Sequence, residues 1–193
     1  DGEIVHADSI PVGGAHVTSD IARGLSTPLT HAERMKTLYG SAIPSPSDER
    51  ELIDVPLIGE ENATQPNHVP RSLLNGIIRP RIEETFELVR SRMEMAGIDR
   101  VAGRRLVLTG GASQLQGVRE LAALVLEKQV RMGKPMRISG LAEANSGPAF
   151  ATGVGLLRYA VDKHADARDH MDTLPAGIPG GFGRIGQWLR ENF

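Results

Sequence analysis

Apolar residues recur along much of this chain at a spacing of three to four, the mark of helices with one buried face. Residues 4–12 read as a strand ending at Pro11, and Gly13-Gly14 as a turn. Val17, Ile21, Ala22 and Leu25 then predict a helix over residues 15–25. Ala32, Met35 and Leu38 predict another over residues 30–39, with Thr30 as N-cap, Glu33 in the capping-box position and Gly40 at its end. Residues 41–50 are a loop by composition, 51–58 alternate loosely like a strand, and 59–70 are polar and turn-rich. Leu74, Ile77, Ile78, Ile82, Phe86, Val89 and Met93 lay out a long helix over about residues 71–96. Ser72 lies near its cap, Pro80 predicts a kink or break, and Gly97 a stop.

The second half holds the clearest unit. Residues 106–108 are a short buried strand, 109–112 a glycine turn, and 117–129 a helix burying Val118, Leu121, Ala122 and Val125. Arg137-Ile138 reads as another short strand, and Phe150, Val154, Leu157 and Val161 as the buried stripe of a final core helix. From Asp162 the apolar pattern disappears, so residues 162–177 read as a flexible linker. Beyond it, Ile178, Phe182, Ile185, Leu189 and Phe193 would share one face of a helix over residues 178–193. Trp188 stands at the flank, where an amphipathic ring suits a headgroup boundary, and Arg184 and Arg190 add positive charge for anionic lipid. Gly181, Gly183 and Gly186 each cost ~1 kcal/mol relative to Ala, which opposes a stable helix in water. Folding on a lipid surface resolves that conflict; a helix docked back on the domain is the alternative. There is no internal repeat.

Composition narrows the class. At 193 residues the chain suits one domain, or two small lobes and a tail. Forty per cent apolar and 24% charged residues suit a soluble globular protein, and aromatics at 4% leave the core to aliphatic side chains. A net charge of −2 gives no general attraction to nucleic acid. Without cysteine there is neither a disulfide framework nor a thiolate metal site. No apolar run approaches the ~20 residues of a membrane span. The chain opens on Asp1-Gly2-Glu3, with no initiator Met or signal peptide, like a strand already under way: the pattern of a fragment or processed chain.

A strand, a glycine turn and a helix N-terminus form a place where anions bind, because the first-turn N–H groups lack helical partners and glycine lets a ligand approach the backbone. Spacing alone favours the plainer reading, a tight ligand-free turn. Likewise, Glu33 and Lys36 could be an i,i+3 pair on a solvated face, and Arg81 a surface cation paired with Glu83 or Glu84.

The run Leu108-Thr109-Gly110-Gly111-Ala112-Ser113-Gln114-Leu115-Gln116-Gly117 resembles the adenosine-side motif of the actin, Hsp70 and sugar-kinase superfamily. Residues 12–22 (Val-Gly-Gly-Ala-His-Val-Thr-Ser-Asp-Ile-Ala) resemble the segment that follows the second phosphate motif of the FtsA family, and residues 32–36 (Ala-Glu-Arg-Met-Lys) the helix whose Glu and Lys approach the adenosine. Residues 151–157 extend the similarity to nearly the whole chain.

The resemblance implies an α/β, actin-like half-protein with two lobes and a flexible tail. Residues 1–14 and 80–161 would form the sheet-bearing lobe, and 15–79 a smaller one. It implies ATP, with Gly110, Gly111, Ala112, Glu33 and Lys36 on the adenosine side. The loops that hold the triphosphate and Mg²⁺ in the family would precede Asp1, so this chain alone is not expected to hydrolyse ATP. Arg81 matches the Arg that follows a Pro in the family pattern and implies a receptor for the acidic C-terminal peptide of FtsZ, since a guanidinium holds a carboxylate bidentately. The tail implies a membrane anchor through Phe182, Arg184, Ile185, Trp188, Leu189, Arg190 and Phe193. The expected function is an adaptor for cell division that self-assembles and ties the division ring to the cytoplasmic face of the inner membrane. The rival readings are a sugar or acetate kinase of the same superfamily and an actin-like cell-shape filament protein.

Overall fold

A computed structural model of the chain describes residues 4–59, 67–98, 101 and 103–172. The first element is a helix, α1 (Gly14–Gly24). Residues 4–12 form no strand: Ile4 and Val5 are exposed, and no described strand pairs with them. An alternating pattern becomes a strand only when a neighbour takes its N–H and C=O groups. The turn expected at Gly13-Gly14 is instead the start of α1, where the Gly13 N–H donates to His16 Nδ1 at 3.2 Å and the Gly13 carbonyl accepts from the His16 N–H at 2.9 Å.

Helix α2 (Leu29–Tyr39) and helix α3 (Arg71–Met95) bracket a short antiparallel pair, β1 (Leu52–Asp54) and β2 (His68–Pro70), in which Ile53 faces Val69. Neither helix uses the expected hydroxyl cap. Pro28 precedes α2 and Pro70 precedes α3, where Thr30 and Ser72 were expected as caps. The reason is conformational: an N-cap needs extended φ and ψ with a free carbonyl, which a proline at φ −66°, ψ 142° supplies without a hydroxyl. Gly40 does end α2. Helix α3 runs unbroken through Pro80. A proline there removes the hydrogen bond to the carbonyl of Gly76, but both residues are exposed, so water can serve that carbonyl.

The glycine unit follows. Strand β3 (Arg105–Leu108) pairs in parallel with β4 (Gln129–Met132), and helix α4 (Val118–Leu126) connects them through a 3₁₀ turn at Gly111–Gln114. Strand β4 replaces the expected end of the 117–129 helix, and Arg137-Ile138 is not a strand. In β4, Val130 and Met132 are partly covered while Gln129 and Arg131 are exposed, a two-residue alternation too short to stand out after a helix.

Residues up to Thr152 form one compact unit. Its core runs continuously across position 80, from Val17, Ile21 and Leu74 to Phe86, Leu121 and Val125, all buried. The periodicity of α1, α3 and α4 is borne out at these positions; Leu38 of α2 is 57% exposed, against expectation. Burying each such side chain stabilises the unit by ~1.5–3 kcal/mol.

Residues from Gly153 form a second unit, which holds most of helix α5 (Ala151–Asp172). Two expectations change here. The helix continues through residues 162–172, the first part of the segment read as linker. The run contains neither Gly nor Pro, so nothing in it breaks a helix that has already started. The predicted stripe is buried only at Val154, while Phe150, Leu157 and Val161 are exposed. Periodicity tells which side chains share a face and not whether anything covers it. The tail, residues 178–193, lies outside the described residues, and no described helix is long and apolar enough to cross a membrane.

Candidate functional site

The glycine turn is held from both sides. The Gly110 N–H donates to the Pro148 carbonyl at 3.1 Å, and Thr109 Oγ1 donates to the Gly133 carbonyl at 3.1 Å. Gly110 sits at φ +97°, a region open to glycine and strained for other residues, and its carbonyl accepts from Ser113 Oγ at 2.6 Å. Gly111 and Ala112 are exposed. Among the described residues a Cβ on Gly111 would meet only the Ala149 Cβ, at 3.8 Å, so the backbone here stands open. The following helix is arranged otherwise than expected. Helix α4 starts only at Val118, and its cap residue Gly117 packs so closely on Ile43 that a Cβ would stand 2.9 Å from the Ile43 nitrogen. The α4 cap is therefore closed against Ile43 on that side, while the turn itself offers open backbone at Gly110 and Gly111.

Helices α1 and α2 bring the other predicted residues to this place. A Cβ on Gly14 would lie 3.0 Å from the Ala112 Cβ and 3.9 Å from Lys36 Nζ, so α1 begins where the turn and Lys36 converge. Lys36 Nζ donates to Glu33 Oε2 at 2.6 Å, to Thr18 Oγ1 at 2.8 Å and to the Gly14 carbonyl at 3.2 Å. Thr18 Oγ1 in turn donates to Glu33 Oε2 at 2.5 Å. The hydrogen bond from Lys36, then that from Thr18, holds the Glu33 carboxyl below its ordinary range against the opposing effect of burial. Glu33 is thus neither a capping-box residue nor a free surface carboxylate. Its Oε2 takes both donors, and Oε1 has no partner among the described residues. Lys36 is 13% exposed, with all three ammonium protons in use.

Arg81, on α3, is bonded to other partners than this cluster. Its Nε donates to Asp20 Oδ2 and its Nη1 to Glu84 Oε2, each at 2.5 Å, while Arg79 stands 3.8 Å from Glu83. The hydrogen bond that Arg81 gives to Asp20, more than the charges around it, raises the Arg81 pKa above the ordinary arginine value.

Several residues of the region were not singled out by sequence. Thr18 falls in a motif stretch but carried no role; its signal was a polar residue in the buried stripe of α1, where it is 6% exposed. Asp48, Arg71, Asn75 and Gln116 form a polar network behind the site and have no local signature, because their partners lie far along the chain.

A profile of the family described as Cell division protein FtsA matches residues 1–155. The chain is 50% identical over its full length to Cell division protein FtsA of Rhizobium meliloti, of which it covers 44%. It is 36% identical to that of Pseudomonas aeruginosa and 32% identical to that of Escherichia coli K12, in each case over all of this chain and 47% of the relative. The chain therefore spans less than half the length of these relatives. These matches bear out the resemblance carried by the three motif stretches.

Proposed function

The chain belongs to the FtsA family of cell division proteins, and on that premise we propose that residues 110–112, with Glu33 and Lys36, form the adenosine side of an ATP site in a division adaptor. One observation carries the reading: the open backbone of Gly110–Ala112 meets the Lys36–Thr18–Glu33 cluster at Gly14, where there is no side chain between them. The residues fit the group. Gly110 and Gly111 leave space for a flat ring, and Glu33 keeps one carboxylate oxygen for a hydroxyl. Lys36 serves as the pin that aims Glu33, since its own protons are taken. Bound ATP would supply a ligand that closes α1, α2 and the turn on one another, and so a means of controlling assembly.

The wider reading follows the family. The intact protein would self-assemble, receive the acidic C-terminal peptide of FtsZ at Arg81, and sit on the cytoplasmic face of the inner membrane at the division site through residues 178–193. The two-lobe division at residues 14 and 80 belongs to the same reading. On the membrane part, Trp188→Glu should release the protein from anionic vesicles, because an apolar ring worth roughly 1.5–3 kcal/mol of burial becomes a repelled carboxylate. Undiminished sedimentation with the vesicles would remove the tail from the account.

The nucleotide part is tested by Gly111→Val in the intact protein. The position tolerates a side chain, so the fold should stand while the branched group enters the ligand's space. Mg-ATP affinity should fall at least tenfold, ~1.4 kcal/mol or more. Unchanged affinity in a stably folded variant would take Gly111 out of the site.

A further inference from the structure

Arg71 opens α3 and holds three separate segments. Its Nε donates to the Tyr39 carbonyl at 2.7 Å, its Nη1 to Glu51 Oε2 at 2.8 Å and its Nη2 to Gln116 Oε1 at 3.1 Å. Tyr39 is the last residue of α2, where carbonyls have no partner inside the helix. Gln116 ends the segment that follows the glycine turn, and it is fixed from the other direction as well. Its carbonyl accepts from the Ala42 N–H at 2.8 Å, and it forms an isolated parallel bridge with Ser41. One guanidinium therefore spans the end of the helix that carries Glu33 and Lys36 and the end of the segment that carries Gly110–Ala112.

Asp48 seats this guanidinium. It is 2% exposed, and its Oδ2 accepts from the Ser45 N–H at 2.8 Å and from Asn75 Nδ2 at 2.9 Å. Its Oδ1 has no hydrogen-bond partner among the described residues and lies 3.7 Å from Arg71 Nη1. A buried carboxylate oxygen without a donor is costly unless a cation stands beside it, and Arg71 is that cation. Asn75 carries the network onward, its Oδ1 accepting from the Ser41 N–H at 2.8 Å. The packing leaves α2 little freedom at this end: a Cβ on Gly40 would stand 2.7 Å from Ile78 Cδ1 of α3.

We propose that Arg71, seated by Asp48 and Asn75, is a positioning residue of the nucleotide site. It touches no ligand; it sets the distance between α2 and the glycine turn, and with it the width of the space between Glu33 and Gly111. The proposal rests on the nucleotide reading given above. It depends on the shape of the guanidinium as well as its charge, because a lysine at 71 could serve one of the three acceptors but not hold all of them in place.

The experiment is Mg-ATP titration of the intact protein with Arg71→Lys, alone and combined with Glu33→Ala. Arg71→Lys should weaken binding roughly tenfold, and the loss should shrink to less than about twofold in the Glu33→Ala background, because the α2 carboxylate that Arg71 positions is then gone. A residue that only supported the fold would cost the same in both backgrounds. Gln116→Leu removes an acceptor of the same latch from the other side without touching α3, and should weaken binding severalfold should Arg71→Lys fold poorly. Full affinity in both Arg71→Lys and Gln116→Leu, beside normal binding by the unsubstituted protein, would overturn the proposal alone, as would equal losses with and without Glu33. Absence of Mg-ATP binding by the unsubstituted intact protein would instead overturn the nucleotide reading and the proposal together.

Discussion

Helix α1 is pinned by two cations, Lys36 from α2 at its N-terminal end and Arg81 from α3 further along, and the two pins differ in what they have left over. Lys36 is 13% exposed and gives its three protons to Glu33, Thr18 and the Gly14 carbonyl. Arg81 is 29% exposed and spends Nε on Asp20 and Nη1 on Glu84, while Nη2 has no partner among the described residues. An ammonium with every proton engaged can only clamp. A guanidinium with an unspent edge can clamp and still receive a carboxylate from outside. Both side chains would pass as binding cations in a sequence; counting donors separates them.

The strongest way to break this comparison is Lys36→Met in the intact protein. If Lys36 is a clamp, its loss leaves Glu33 and Thr18 without their shared donor and frees the start of α1. Urea unfolding should show a loss of about 1.5–3 kcal/mol, the range for hydrogen bonds to a charged group. Amide exchange over residues 14–18 should quicken with it. A loss near zero would mean that Lys36 is held there only loosely and is free for a ligand after all.

The comparison is sharpened from the other side by Asp20→Asn, which weakens the hold on Arg81 without removing the guanidinium. An acidic peptide of the FtsZ C-terminal type should then bind a few times more tightly, an effect of about 1 kcal/mol or less that fades as salt rises. The outcome that sinks the Arg81 assignment is peptide affinity indifferent to Asp20→Asn and to salt alike.

How much of this was legible beforehand follows from the range of each interaction. The core faces of α1, α3 and α4 were readable because the helical period is written in neighbouring residues such as Leu74, Ile78 and Ile82. The glycine turn was readable because Gly110 at φ +97° demands its residue type locally. The caps were misread because prolines at 28 and 70 did the work expected of Thr30 and Ser72. The exposed stripe of α5 shows the opposite limit, since a period specifies a face and is silent on its cover. Arg71 was invisible for a simpler reason. Its contact with Gln116 joins positions 45 residues apart, and neither residue type is unusual where it stands.

The smallest expected effect concerns pH and tests whether Glu33 belongs to the clamp as an anion. Its carboxyl is held below the ordinary glutamate range in the folded protein, first by the Lys36 hydrogen bond and then by that from Thr18. A group with a depressed folded pKa contributes stability that is fully present above its unfolded pKa and is lost as pH falls through the folded one. Acidification from neutrality through the carboxylate range should therefore erode stability. The contribution is modest, because Glu33 is 55% exposed and solvent screens it. Asp48 is depressed as well, with burial opposing its Ser45, Asn75 and Arg71 contacts, so part of the acid loss will remain without Glu33. The informative measurement is thus a difference: urea midpoints of the intact protein and of Glu33→Gln across the acid range. Glu33→Gln should be the less stable at neutral pH, and the gap should close on acidification as the native carboxylate takes up its proton. Curves that stay parallel down to the lowest pH would show that Lys36 and Thr18 gain nothing from the charge on Glu33, and the clamp would reduce to neutral hydrogen bonds.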